Sequence, residues 1–227
     1  MDTNDLAAKM FDDQRNSDSF WGVIFKYSDV KQHLESGNKD LAKYLRNAIV
    51  GQVRIQSPSK PCNGAFEVKS SSGPGAGKLV YTLASHMSEK LSGGGLIPDR
   101  DNLSQDALNS WKKFAKSNSG HALDDATNPI NNDPNDDCDV WKGGSGHTKQ
   151  KYERSYDKLP EKEDADAVNK SYITKNSIDV KGMLDRGAEI YEIILSKNLV
   201  GYFSNAKINS LLADLARDFF TRNYHKG

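Results

Sequence analysis

Residues 65–81 read Ala-Phe-Glu-Val-Lys-Ser-Ser-Ser-Gly-Pro-Gly-Ala-Gly-Lys-Leu-Val-Tyr, and their reading decides the fold. Ala65–Val68 has the apolar and β-branched character of a strand. Gly73, Gly75 and Gly77 supply a tight turn. From Leu79 the apolar positions Val80, Leu83, Ala84, Met87 and Leu91 recur at helical spacing. A glycine turn between a strand and a helix is a place where backbone N–H groups collect an anion.

Working outward, Gly93-Gly-Gly ends that helix, and Gly95-Leu-Ile-Pro98 reads as a short strand. Ser104 caps a helix whose stripe is Ala107, Leu108, Trp111, Phe114 and Ala115. Upstream, Phe20–Tyr27 and Ile49–Ile55 read as strands. Between them lie two helical pieces split at Gly37-Asn38, with Asp29 as the expected cap of the first. Leu6, Ala7, Met10 and Phe11 fit a short amphipathic helix in an N-terminal arm, 1–19. Downstream, 117–156 is an irregular loop rich in Asn, Asp, Gly and Pro, and 157–170 is a charged, solvated stretch. A helical turn from Val180 ends at Gly187. Residues 188–227 then form a C-terminal helical hairpin, its second helix capped by Asn205, as a small subdomain or oligomerisation element.

The 227 residues carry 31 basic and 31 acidic side chains, so no basic excess marks a nucleic-acid surface. A mean hydropathy of −0.72 and 36% hydrophobic residues predict a small core among long polar segments. The start, Met-Asp-Thr-Asn-Asp-Leu, lacks the apolar core of a signal peptide, and no run reaches membrane-spanning length. The expectation is a soluble protein made in the cytoplasm. Cys62 and Cys138 are the two cysteines. They are read as reduced thiols, with a single bridge left open as the alternative.

The glycine turn fails as a P-loop, because Ser72 stands at the first glycine position and Leu79 where a hydroxyl must hold Mg²⁺. Glycines at 73, 75 and 77 also lack the spacing of a dinucleotide fingerprint. Asp133-x-Asn135-x-Asp137 begins like an EF-hand loop, but Cys138 and Gly144 occupy the required Gly and Glu positions. Asp133, Asp136, Asp137 and Asp139 remain as a looser cation candidate, though no metal site is assigned. His121, His147, Cys62 and Cys138 have no zinc-ligand spacing. Asp99-Arg100 reads as a loop ion pair and His86 as a surface or packing histidine. Tyr81 reads as a packed tyrosine, with general-acid work as its functional alternative. No catalytic residue is assigned.

Ser72-Gly-Pro-Gly-Ala-Gly-Lys-Leu79 resembles the acyl-CoA pyrophosphate loop of GNAT-type N-acetyltransferases, whose pattern is Arg/Gln-x-x-Gly-x-Gly/Ala. Gly75 and Gly77 match the glycines, and Ser72 replaces the leading Arg/Gln. A longer series keeps one order: Cys62-Asn-Gly-Ala-Phe-Glu-Val, Gly75–Tyr81, Gly94–Arg100, Ser104-x-x-Ala107-x-x-x-Trp111, Leu123-Asp124, Asp136-Asp-Cys138 and Val168-Asn-Lys-Ser-Tyr172. It resembles tailed-bacteriophage virion-associated proteins with a GNAT-like domain.

These resemblances imply an α/β (α+β) fold: a GNAT-like mixed sheet flanked by helices, spanning 20–187 and including the irregular loop, with 188–227 as an extension. They imply a virion structural or virion-associated protein, catalytically degenerate, whose partners are other virion proteins or copies of itself. Neither nucleic acid nor membrane is among the expected partners. The alternative they imply is an acetyl-CoA-dependent N-acyltransferase acting on an amine. The cofactor would then lie against Val68, Lys69, Gly73, Gly75, Ala76, Gly77 and Lys78.

Overall fold

Ser19–Lys26 is nearly all apolar, and it forms a strand (β2) buried on both faces. Residues 6–12 pair with it. The expected N-terminal helix is a strand (β1, Leu6–Asp12), antiparallel to β2 in the register Leu6↔Lys26 to Asp12↔Phe20. The remaining elements of the computed structural model follow in chain order. They are α1 (Tyr27–Glu35), α2 (Leu41–Ala48), β3 (Ile49–Gln56), β4 (Phe66–Ser72), α3 (Gly77–Leu91), β5 (Leu96–Pro98) and α4 (Gln105–Ser117), then β6 (Ser119–Ala122), α5 (Lys162–Val168), β7 (Lys170–Ile173), α6 (Val180–Ser196) and α7 (Asn205–Tyr224). The structure describes residues 2–13, 15–16, 18–36, 40–58, 62–99, 103–123, 132, 138, 162–173, 178–196 and 205–224.

The fold is mixed α/β, a seven-stranded mixed sheet flanked by helices, ordered β1-β2-β3-β4-β5-β7-β6. β4 and β5 are parallel, with Phe66↔Leu96, Glu67↔Ile97 and Val68↔Pro98 in register. β7 is antiparallel to both β5 and β6. Parallel neighbours need a long crossover connection, and the glycine turn with α3 provides it.

The chain divides into two compact units. Unit one comprises Met1–Ile55, Ser70–Met87 and Asn176–Gly227. Its main core joins Ala7, Phe11, Trp21, Val23 and Phe25 of the hairpin to Leu34, Leu45, Ile190, Ile194, Leu212 and Phe219 of four helices. Packing therefore runs across the sequence boundaries drawn at 19 and 187. Leu83 and Met87 of α3 press on the strands at Gly22.

α6 does not stop at Gly187. It runs through that residue because a side chain there would meet the backbone of β1: a Cβ on Gly187 would lie 1.9 Å from the Ala8 carbonyl oxygen. One residue earlier, Arg186 donates to the carbonyls of Leu6 at 2.6 Å and Thr3 at 2.8 Å. Main-chain acceptors at the edge of the sheet are thereby occupied. Helix α1 begins at Tyr27, not after Asp29, and Lys26 offers it no side-chain cap. Asp5 takes over that task, accepting from Ser28 N and Oγ, both at 2.9 Å.

Unit two comprises Gln56–Lys69 and Ser88–Lys175. Ser104 caps α4 by accepting from Ala107 N at 3.2 Å, as its position predicts. Trp111, Phe114 and Tyr172 cluster with ring centroids 5.4–5.9 Å apart. Tyr172 donates to the Ala167 carbonyl at 3.0 Å, tying β7 to the end of α5. The stretch expected to be charged and solvated thus contains a helix, with Ala167 and Val168 buried.

Cys62 and Cys138 are joined as a disulfide, with Cα atoms 5.1 Å apart, and this replaces the expected pair of reduced thiols. The bridge sits in a small core with Ala65, Ile97 and Leu123. Burial in that core protects it from solvent.

Candidate functional site

Val68 and Lys69 lie in unit two. Val68 is buried on β4 opposite Pro98, and Lys69 follows it. The parallel register carries Lys69 level with Asp99, the residue after β5. The Lys69 ammonium lies 2.7 Å from Glu67 Oε2 and 3.2 Å from Asp99 Oδ1. Burial pulls its pKa down, while hydrogen bonding to Glu67 and the charges of Glu67 and Asp99 outweigh this and leave it raised. One ammonium shared by two carboxylates is committed to the protein. Asp99, expected to pair with Arg100, pairs with Lys69; Arg100 lies outside the described residues.

The glycine turn lies in unit one. Gly73-Pro74-Gly75-Ala76 closes through Ala76 N–H donating to the Gly73 carbonyl at 2.7 Å. Gly75 has φ +72°. Proline at the second position and a positive-φ glycine at the third define a type II turn. Gly75 is there for its backbone, since a Cβ on it would touch nothing within 4 Å. Gly73 is there for space, since a Cβ on it would lie 2.8 Å from Val80 of α3. Ala76 is buried, and its carbonyl receives Val80 N–H to open α3.

Gly77 and Lys78 are exposed in the first turn of that 15-residue helix. First-turn N–H groups have no acceptor within their own helix and carry the positive end of its dipole. The seven residues singled out on the sequence therefore fall into two sets. Val68 and Lys69 serve the strand pair, and Gly73, Gly75 and Ala76 build the turn. Gly77 and Lys78 present backbone and charge to solvent.

Tyr81 is hydrogen-bonded to Ser71 of β4; burial raises its pKa and that bond partly offsets the rise. A phenol so held stays protonated at neutral pH. His86 lies on the same helix and is partly buried. Asp133, Asp136, Asp137, Asp139 and His147 lie outside the described residues. Among the described residues, no three His, Cys, Asp or Glu side chains gather to hold a metal, and no helix is long and apolar enough to cross a membrane.

Two polar assemblies carry no motif in the sequence. In unit one, Asp13 accepts from Trp21 Nε1 at 2.9 Å and pairs with Arg217 at 3.2 Å and Arg54 at 3.4 Å. In unit two, lysines of α4, α5 and β7 line a cleft. The i,i+4 pairs Lys112/Lys116 and Lys162/Asp166 are the sequence signal for the second, legible only once α5 is read as a helix. Comparison with protein-family models, with curated proteins and with solved structures found no match.

Proposed function

We propose that this chain is a bacteriophage virion-associated protein built on a GNAT-like domain that serves as a scaffold, not as a catalyst. The strand order, the parallel β4–β5 pair and the glycine turn leading into α3 support the GNAT-like part of this reading.

The observation that carries the scaffold reading is the work done by the residues behind the phage resemblance. Cys62 and Cys138 close a disulfide, and Leu123 lies in the core around it. Gly94 has no room for a side chain, since a Cβ would fall 2.1 Å from Asn63 O. Ser104 caps α4, and Trp111 and Tyr172 meet in one aromatic cluster. Gly75 makes the type II turn. What the described residues of that series maintain is a body. A disulfide also suits a protein that ends outside a reducing cytoplasm, as the surface of a particle does.

The acyltransferase is the second reading, supported by the exposed first turn of α3 at Gly77 and Lys78. Acetyl-CoA would supply the acyl group, and the Gly77 and Lys78 amides with the Lys78 ammonium would hold the pyrophosphate. Against it stand Ser72 in place of Arg/Gln, the Ala76 N–H spent on Gly73, and Lys69 held by Glu67 and Asp99.

Isothermal titration with acetyl-CoA separates the two. The scaffold reading predicts no binding heat at millimolar ligand. Heat that disappears in Gly75→Glu, which places a carboxylate in open space beside the turn, would favour the transferase. The virion placement is tested by mass spectrometry of purified particles, and absence from them removes it.

A further inference from the structure

Within unit two, α4, α5 and the first residue of β7 border an open cleft of ≈ 350 Å³. That volume falls within the range of small-ligand sites, ~300–1,000 Å³. Four lysines reach it, and they are not equivalent. Lys112 is held by Asp164 at 2.7 Å, and Lys116 lies 3.4 Å from Glu163. Lys162 and Lys170 line the same cleft with no carboxylate partner among the described residues. Asp166 also lines it and belongs to no ion pair among the described residues. Lys162 and Asp166 stand four residues apart on α5 and so share a face.

Two uncommitted ammonium groups ask for an anion, and lysine suits phosphate as a mobile point charge. An uncommitted carboxylate accepts hydrogen bonds and offers none, so the same ligand must bring donors. Among the described residues no aromatic ring lines the cleft to stack a nucleobase; its remaining walls are Ala115, Ala167 and Glu163, whose carboxylate is taken up by Lys112 and Lys116. We propose that this cleft binds a small phosphorylated polyol, with its phosphate between Lys162 and Lys170 and its hydroxyls donating to Asp166. The site is independent of the glycine turn and of the scaffold reading.

The test is isothermal titration of the full chain at low salt with three probes: glucose 6-phosphate, glucose and inorganic phosphate. Glucose 6-phosphate binds, inorganic phosphate binds more weakly, and glucose gives no heat. The double variant Lys162→Gln/Lys170→Gln lowers glucose 6-phosphate affinity by roughly tenfold or more. Lys113→Gln, on α4 outside the cleft, leaves it unchanged.

Asp166→Asn supplies a readout that a merely structural role does not move. It weakens glucose 6-phosphate roughly threefold while leaving inorganic phosphate as tight or tighter, because a repelling charge is gone. Unchanged far-ultraviolet circular dichroism and melting confirm that the variants fold. The proposal is overturned if glucose 6-phosphate gives no heat at millimolar concentration. It is equally overturned if the double variant binds as the parent does, or if Asp166→Asn weakens both anions alike.

Discussion

Asp13 is 3% exposed at the end of β1, and its carboxylate accepts from Trp21 Nε1 and the Arg15 amide while pairing with Arg217 and Arg54. Arg217 also spans Trp21, its guanidinium carbon 5.2 Å from the ring centroid, and pairs with Asp214 at 2.9 Å. One buried carboxylate thus joins the β1–β2 hairpin, β3 and α7. Burial pushes its pKa up, but the Trp21 and Arg15 hydrogen bonds and the two guanidinium charges outweigh burial and leave it lowered. A lowered folded value means stabilisation fully present above the unfolded value, about 3.9, and lost as pH falls through the folded one. Asp13→Ala should cost about 3 kcal/mol at pH 7, the penalty for breaking a buried pair. Urea melts at pH 7 and pH 3 check this: the parent loses more stability on acidification than the variant does. Equal losses would remove Asp13 from the account. No sequence pattern marks this residue, because its partners lie 8, 41 and 204 positions away.

The element scale shows where periodicity was informative and where it was not. α4 packs one face, so its apolar stripe and the Ser104 cap can be read directly, whereas α3 buries Thr82, Ser85 and Ser88 as well as its apolar stripe. β1 is buried at Leu6, Ala7, Ala8 and Phe11, which hides strand alternation; the spacing that survives also fits a helix. α5 buries only its last two residues and carries charge elsewhere, so its sequence resembles a solvated stretch. The strand–turn–helix joint at 66–77 was legible because proline and glycine restrict the backbone to few turn types. The commitment of Lys69 to Asp99 was not, because it depends on the β4–β5 register.

Glycine so often ends helices that Gly187 resembles a stop in the sequence; in the structure it is a contact residue. Gly187→Ala should therefore destabilise by about 2 kcal/mol or more, since the new methyl meets the Ala8 backbone and not a yielding side chain. Gly→Ala inside an unobstructed helix instead gains up to about 1 kcal/mol. Chemical denaturation of the variant gives the sign, and a gain would mean that α6 does not approach β1 this closely.

At the scale of the molecule, the bridge between Cys62 and Cys138 closes a separation of 76 residues. A loop of that length is worth about 4 kcal/mol of stability in the chain-entropy description. Two cysteines so far apart carry no spacing signal, so the sequence left the pairing open. In the structure they join the start of unit two to a position beyond β6, around a core of Ala65, Ile97 and Leu123. The bridge and the core around it thus serve a stable body that tolerates an oxidising exterior. The most direct test of the proposed virion-scaffold role is non-reducing peptide mapping by mass spectrometry of particles purified from lysates of cells that produce the chain. The account predicts that the chain is present at constant copy number through successive purification steps, with the Cys62 and Cys138 peptides linked. A chain that washes out of the particle fraction and remains in the soluble lysate would contradict it.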